Sequence, residues 1–144
     1  MAAPARAAHD EKDIPYWGSL RTDTANLRVG PGEDYRISWI YHRAHLPLKV
    51  LRAMEGWRLV EDPDGARGWV LAKFVSRERH GLVTGREPAE MREAPDGATR
   101  LLWRLAPGVL VKLDECADSW CRVELNGRTG FVREAALWGV AALK

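Results

Sequence analysis

The feature that most constrains this chain is an internal repeat. Laying residues 26–76 over 90–139 pairs Asn26-Leu27-Arg28 with Glu90-Met91-Arg92, Pro31 with Pro95 and Trp39 with Trp103, all at an offset of 64. The register then slips by single residues. Leu48-Lys49-Val50 matches Val111-Lys112-Leu113 and Trp57 matches Trp120 at 63, and Gly68-Trp69-Val70 matches Gly130-Phe131-Val132 at 62. Single deletions at loops, with matched apolar and Trp positions between them, are the mark of a duplicated small domain. Each copy has only about 60 residues in which to bury a core, which calls for short elements tightly connected.

Within each copy the apolar residues alternate. Ala25, Leu27 and Val29 interleave with Asn26 and Arg28 before Gly30-Pro31-Gly32 forces a loop. Strands are predicted over 37–41, 46–53, 57–61 and 66–70, with Asp62-Pro63-Asp64-Gly65 as the last turn. The second copy repeats the scheme over 99–105, 109–115, 120–125 and 128–132, where Asn126-Gly127 is a strong hairpin signal. Residues 71–73 and 133–135 read as one helical turn before a final apolar pair. No long helical period occurs, so the expected fold is all-β: two tandem small antiparallel β-barrels of about five strands, each with a short helical turn before its last strand. The expected division is a flexible tail over 1–13, a first domain over 14–76, a linker over 77–80 and a second domain over 81–144.

Charge excludes several function classes. The 144 residues carry a net charge of +2, and nine basic against seven acidic side chains over 20–76, then nine of each over 81–144, leave no basic stripe for nucleic acid. No apolar run is long enough to insert into a membrane. Ala5-Arg6-Ala7 fits the small-x-small pattern before a signal-peptidase site, without a charged or apolar region ahead of it, so a trimmed signal and a plain alanine-rich tail both remain open.

Asn26-Leu27-Arg28-Val29-Gly30-Pro31-Gly32, Glu55-Gly56-Trp57 and Gly68-Trp69-Val70 resemble the pattern of bacterial SH3 (SH3b) domains. The second copy keeps Met91-Arg92, Pro95, Ser119-Trp120-Cys121-Arg122-Val123 and Gly130-Phe131-Val132, with Glu90 and Ala94 in place of Asn26 and Gly30. From Ile14-Pro15-Tyr16-Trp17 to Leu137-Trp138-Gly139-Val140 the chain resembles the tandem SH3-like exported proteins of alphaproteobacteria. The resemblance implies two SH3-like barrels, a periplasmic or secreted location, no cofactor, and a non-enzymatic role in binding a cell-wall peptide or a protein segment. By analogy with eukaryotic SH3 domains, whose aromatic rings lie between the first loop and the middle hairpin, Tyr35, Tyr41, Trp57 and Phe74 would line a groove in the first copy and Trp120 in the second. Glu33 and Asp34 are the obvious acidic pair beside it. The competing reading is an interaction module whose two barrels pack as one rigid body and dock to a partner protein. The oligomeric state stays open, with a monomer favoured.

Other candidates for chemistry read as structure. His42-x-x-His45 lacks a third ligand nearby and is loop polarity rather than a metal site. Cys116 and Cys121, the only cysteines, close a disulfide across a hairpin if the chain is exported and are two buried thiols otherwise. No nucleophile and base stand together, which argues against a hydrolase. Val60, Val70, Val75, Val123 and Val132 are core candidates; alternation turns Trp57, Trp69 and Trp120 outward, and Trp39 and Trp103 are expected to be structural.

Overall fold

The computed structural model describes residues 10–143. The chain divides into two compact units, the first running to Glu78 and taking in Leu143 as well, the second running over Arg79–Ala142. Ala5-Arg6-Ala7 lies outside the described residues.

The first unit is built from β1 (Tyr16–Leu20), β2 (Ala25–Arg28), β3 (Ile37–Tyr41), β4 (Pro47–Met54), β5 (Trp57–Glu61), β6 (Arg67–Leu71) and, after a 3-10 turn at Ala72–Phe74, β7 (Val75–Ser76). The second repeats it with β8 (His80–Val83), β9 (Ala89–Arg92), β10 (Leu101–Leu105), β11 (Leu110–Ala117), β12 (Trp120–Leu125), β13 (Arg128–Arg133), a 3-10 turn at Glu134–Ala136 and β14 (Leu137–Trp138). Strand orders are β3-β2-β6-β5-β4-β1-β7 and β10-β9-β13-β12-β11-β8-β14, one topology used twice, with antiparallel pairing throughout. The all-β class, the duplication and the helical turn before each last strand are as the sequence predicts.

Each unit has seven strands rather than about five. The unexpected ones include β1 and β8, and a glycine obscures both. A Cβ on Gly18 would sit 2.8 Å from the Ser76 carbonyl, so β1 needs glycine in mid-strand to lie against β7, and this interrupts the alternation that marks a strand. Gly81 occupies the matching place in β8. The linker expected over 77–80 is absorbed accordingly, because His80 already opens β8. The expected tail is also shorter: Asp10–Asp13 are helical and Asp10 is buried.

The cores occupy matched positions. Leu20, Leu27, Leu48, Val50, Val60 and Val70 fill the first unit, and Val83, Met91, Val111, Leu113, Val123 and Val132 the second. Burial of each such side chain stabilises its unit by roughly 1.5–3 kcal/mol. Gly68 and Gly130 let β6 and β13 cross directly over β2 and β9. A Cβ at Gly68 would fall 2.6 Å from Leu27 Cγ, and one at Gly130 would fall 2.7 Å from Met91 Cγ.

Four matched positions are solved differently in the two copies. Tyr41 is buried, and its hydroxyl donates to Asp62 Oδ2 at 2.9 Å while Asp62 Oδ1 accepts the Asp64 and Ala66 N–H groups, both at 2.9 Å. The second copy has Leu105 and Leu125 there, and its turn is the tight Asn126-Gly127 pair with φ of 52° and 80°. Ala53 stands opposite Arg58 across the β4–β5 hairpin, where the second copy sets Cys116 opposite Cys121. Arg58 is buried and donates from Nε and Nη2 to Asp10 Oδ2 at 3.1 and 2.8 Å, and from Nη1 to the Met54 and Trp57 carbonyls at 2.7 and 2.8 Å. Cys116 and Cys121 are joined, with an S–S length of 2.06 Å. The remaining Asp10 oxygen pairs with Arg77, whose guanidinium lies 3.5 Å from the centre of the Tyr16 ring.

Candidate functional site

In each unit a Trp opens the second strand of the middle hairpin. Met54 faces Trp57 across one hairpin end, and Ala117 faces Trp120 across the other. Backbone bonds fix both ends to the helical turn that follows: Ala72 N–H donates to the Gly56 carbonyl at 2.8 Å, and Glu134 N–H to the Ser119 carbonyl at 2.9 Å.

The first loop is tied down as well. Arg28 Nη1 donates to the carbonyls of Glu33 and Tyr35 at 3.0 and 2.8 Å. The Tyr35 ring lies so close over Gly30 that a Cβ there would be 2.3 Å from Tyr35 Cδ1. The second copy has Thr99 in place of Tyr35, and Thr99 Oγ1 donates to the Ala94 and Asp96 carbonyls at 3.2 and 2.8 Å. Ala94 is tolerated where the first copy needs Gly30 because no ring presses on it.

The residues expected to line the groove separate into three groups. Tyr35 is 49% exposed and Trp57 is half-buried, so both offer ring surface to a ligand. Phe74 sits in the 3-10 turn, packed against the core with Lys73 over its ring at 5.3 Å. Tyr41, only 4% exposed, is a core residue bound to Asp62 and has no place in a groove. Burial with a carboxylate acceptor drives its phenol well above the ordinary range. Its position at the end of β3, where the strand turns into the barrel, hides it; the analogy to other SH3 domains counts aromatic residues and is blind to that turn.

Trp120 is 8% exposed and carries the Arg133 guanidinium 4.4 Å from its ring centre. Trp69 is buried too, opposite Arg28 under the first loop, contrary to the outward placement that alternation assigns to both. Trp39 departs the other way. Expected to be structural, it is 61% exposed, whereas its counterpart Trp103 packs on the core with Arg128 5.0 Å from its ring.

The two arginines explain the contrast. Arg133 and Arg128 cover the tryptophans of the second unit, and the matching residues of the first are Leu71 and Ala66. Among the described residues no cationic side chain lies over Trp57 or Trp39. A guanidinium on an indole face contributes about 0.5–1 kcal/mol at an exposed site and occupies the surface a ligand would use.

Beside Trp120 a groove of about 310 Å³ runs between the first loop and the hairpin, lined by Pro95, Ala117, Asp118, Arg122 and Phe131 among others. Its counterparts in the first unit are Pro31, Met54, Glu55, Leu59 and Trp69, a more apolar set. Behind Trp120 a second hollow of about 400 Å³ includes Glu90, Arg104 and Arg133, and the Arg92 guanidinium holds the Glu90 carboxyl below its usual range. Stacking, apolar contact and ion pairing are what these side chains offer a ligand.

A family model described as a bacterial SH3 domain matches the sequence twice, over residues 21–76 and 85–139. No curated protein matches it. Among solved structures the chain is similar to NlpC2 and NlpC1 from Trichomonas vaginalis and to an NlpC/P60 family protein from Bacillus cereus. Each is 14% identical, with TM-scores of 0.39, 0.40 and 0.38 over 87%, 87% and 85% of this chain. The alignments cover 48%, 46% and 55% of those proteins, so the chain spans about half their length. The two matches by sequence fall one on each unit, and the chain belongs to the bacterial SH3 domain family, as a tandem pair of its binding modules.

Proposed function

We propose that this protein is a non-enzymatic binding protein of the bacterial envelope that holds a peptide against the first unit, beside Trp57 and Tyr35. The observation that carries the reading is the difference in cover. Trp120 is stacked under Arg133, whereas Trp57, with Leu71 at the matching position, keeps ring surface for a ligand. Met54 is exposed at the same hairpin end, and Arg52 and Glu55 stand near it in sequence as a cation and an anion. A cell-wall peptide, carrying both carboxylate and ammonium groups, suits that mixture. Trp120 and its groove form the weaker, pre-covered counterpart, and Phe74 supports the surface from the core side.

The Cys116–Cys121 disulfide supports an oxidising compartment, in keeping with a periplasmic or secreted protein. The test is co-sedimentation of the full chain with purified peptidoglycan. Wild type should pellet, Trp57→Ala should bind about tenfold more weakly, as loss of a central aromatic anchor does, and Trp120→Ala should bind nearly as well as wild type. Failure of the wild type to pellet, or equal binding by Trp57→Ala, overturns the reading.

A further inference from the structure

Among the described residues β3 and β10 are the outermost strands of their sheets, and each presents one side of its backbone without a neighbouring strand there. An edge of this kind recruits other strands unless charge, proline, a bulge or a cover blunts it. Both edges share a bulge, between Leu27 and Arg28 in the first unit and between Leu101 and Trp103 in the second.

The other protections are present in one copy only. β10 carries the exposed Arg104 near its end, and Arg128 lies over Trp103. The matching residues in the first unit are Ile40 and Ala66, so a charge on the edge becomes an aliphatic side chain and the cover over the indole disappears. Ile37, Trp39 and Ile40 are all exposed as a result, on both faces of one short strand, and Val29 and Tyr35 extend the apolar surface into the first loop. From Leu27 to Ala25 the β2–β3 pairing is regular, with Leu27 opposite Trp39 and Ala25 opposite Tyr41, so the edge is regular over residues 39–41 and the bulge sets Ile37 apart from them.

We propose that β3 is an acceptor edge for strand addition, taking an extended segment of a partner protein whose alternating apolar residues are bracketed by acidic ones. Charge selects this occupant. Arg36 precedes the strand and Arg43 follows it, both exposed, with His42 beside the second. An added strand reaching from one to the other spans eight residues, about 26 Å at about 3.3 Å each. Carboxylates at its two ends would meet the two guanidinium groups, while main-chain hydrogen bonds supply the pairing and Trp39 and Ile40 supply the apolar contact. A second copy of this chain is less suited. In the antiparallel register centred between Trp39 and Ile40, Arg36 meets Arg43, and like charges opposed across a pair are unfavourable; in the one centred on Trp39, Arg36 meets His42 and gains no carboxylate partner. This surface meets the proposed peptide site at Tyr35, while β2 and β6 lie between β3 and the strand that carries Trp57.

The experiment is a fluorescence-anisotropy titration of the full chain with a labelled octapeptide that has Glu at both ends and alternating Val and Thr between. Saturable binding is expected, with slowed amide exchange over residues 37–41. Replacing both Glu by Lys, or N-methylating alternate amides of the peptide, should each weaken binding at least about tenfold. Ile40→Arg, which copies the second unit at an exposed position, should do the same. Absence of binding, equal binding by the N-methylated peptide, or an Ile40→Arg chain that binds like wild type overturns the proposal. A concentration-dependent dimer that protects residues 37–41 and is lost in Ile40→Arg also overturns it, by assigning the edge to a second copy.

Discussion

Asp10 is the most informative residue to remove. Its side chain is 5% exposed and that of Arg58 is 3% exposed, so their ion pair is a buried one. Deleting one member of a buried pair costs about 3–5 kcal/mol, because the other is left charged in a dry site. Arg58 keeps its two bonds from Nη1 to the Met54 and Trp57 carbonyls, which places Asp10→Ala near the lower end, at about 3 kcal/mol. At roughly 4–8 °C per kcal/mol for a domain of this size, the first unit should melt about 12–24 °C lower. Hydrogen exchange read separately over β4–β5 and β11–β12 assigns the loss: protection should fall in the first unit and hold in the second. Removal of residues 1–13 should reproduce the effect, whereas Asp10→Leu combined with Arg58→Met, which removes both charges, should recover most of the stability. Acidity gives a second handle. Burial alone would raise the Asp10 pKa, but the hydrogen bonds from Arg77 and Arg58 outweigh it and the net shift is downward. A carboxyl with a depressed folded pKa contributes stability that is fully present above its unfolded value, about 3.9, and is lost as pH falls through the folded one. Asp10→Asn should therefore flatten the acid limb of the first unit's stability curve. A melting point for Asp10→Ala within about 2 °C of wild type would refute the buried pair.

Three further outcomes follow from matched positions. Cys116→Ser with Cys121→Ser, or a reductant, should destabilise the second unit by about 2 kcal/mol, the chain-entropy value for so short a loop, and leave the first unit unchanged in denaturant melts. Gly68→Ala and Gly130→Ala should each cost about 1–3 kcal/mol in thermal melts, with Gly68→Ala the worse because stiffer Leu27 must move where Met91 can bend. Tyr41→Phe should cost about 1 kcal/mol by leaving Asp62 short of a donor. Because the Tyr41 pKa is raised, its contribution holds below the unfolded value of about 10 and is lost as pH rises beyond it, so an alkaline melt of Tyr41→Phe should be the shallower.

Much of the fold was legible because the repeat supplies its own control. Val60, Val70, Val123 and Val132 stand out by alternation and are buried. β1 and β8 were hidden by Gly18 and Gly81, mid-strand glycines that mark no turn; Gly18 lets β1 lie close against Ser76. The candidate site was less legible, since exposure depends on what lies over a residue. Trp39 and Trp103 share the same local sequence character and differ in burial because of Ala66 and Arg128, distant in sequence. Aligning the copies and asking which charges one has and the other lacks is the signal that finds them. Asp10 carried no such signal, having no aligned partner in the second copy.

The single hairpin position held by Arg58 in one unit and Cys121 in the other gives the two halves different vulnerabilities. A shift to acid loosens the first by discharging Asp10, while the second answers instead to the thiol balance of its surroundings. One duplicated sequence thus yields neighbouring hairpins held by different chemistry, a buried ion pair in the first and a covalent sulfur bridge in the second.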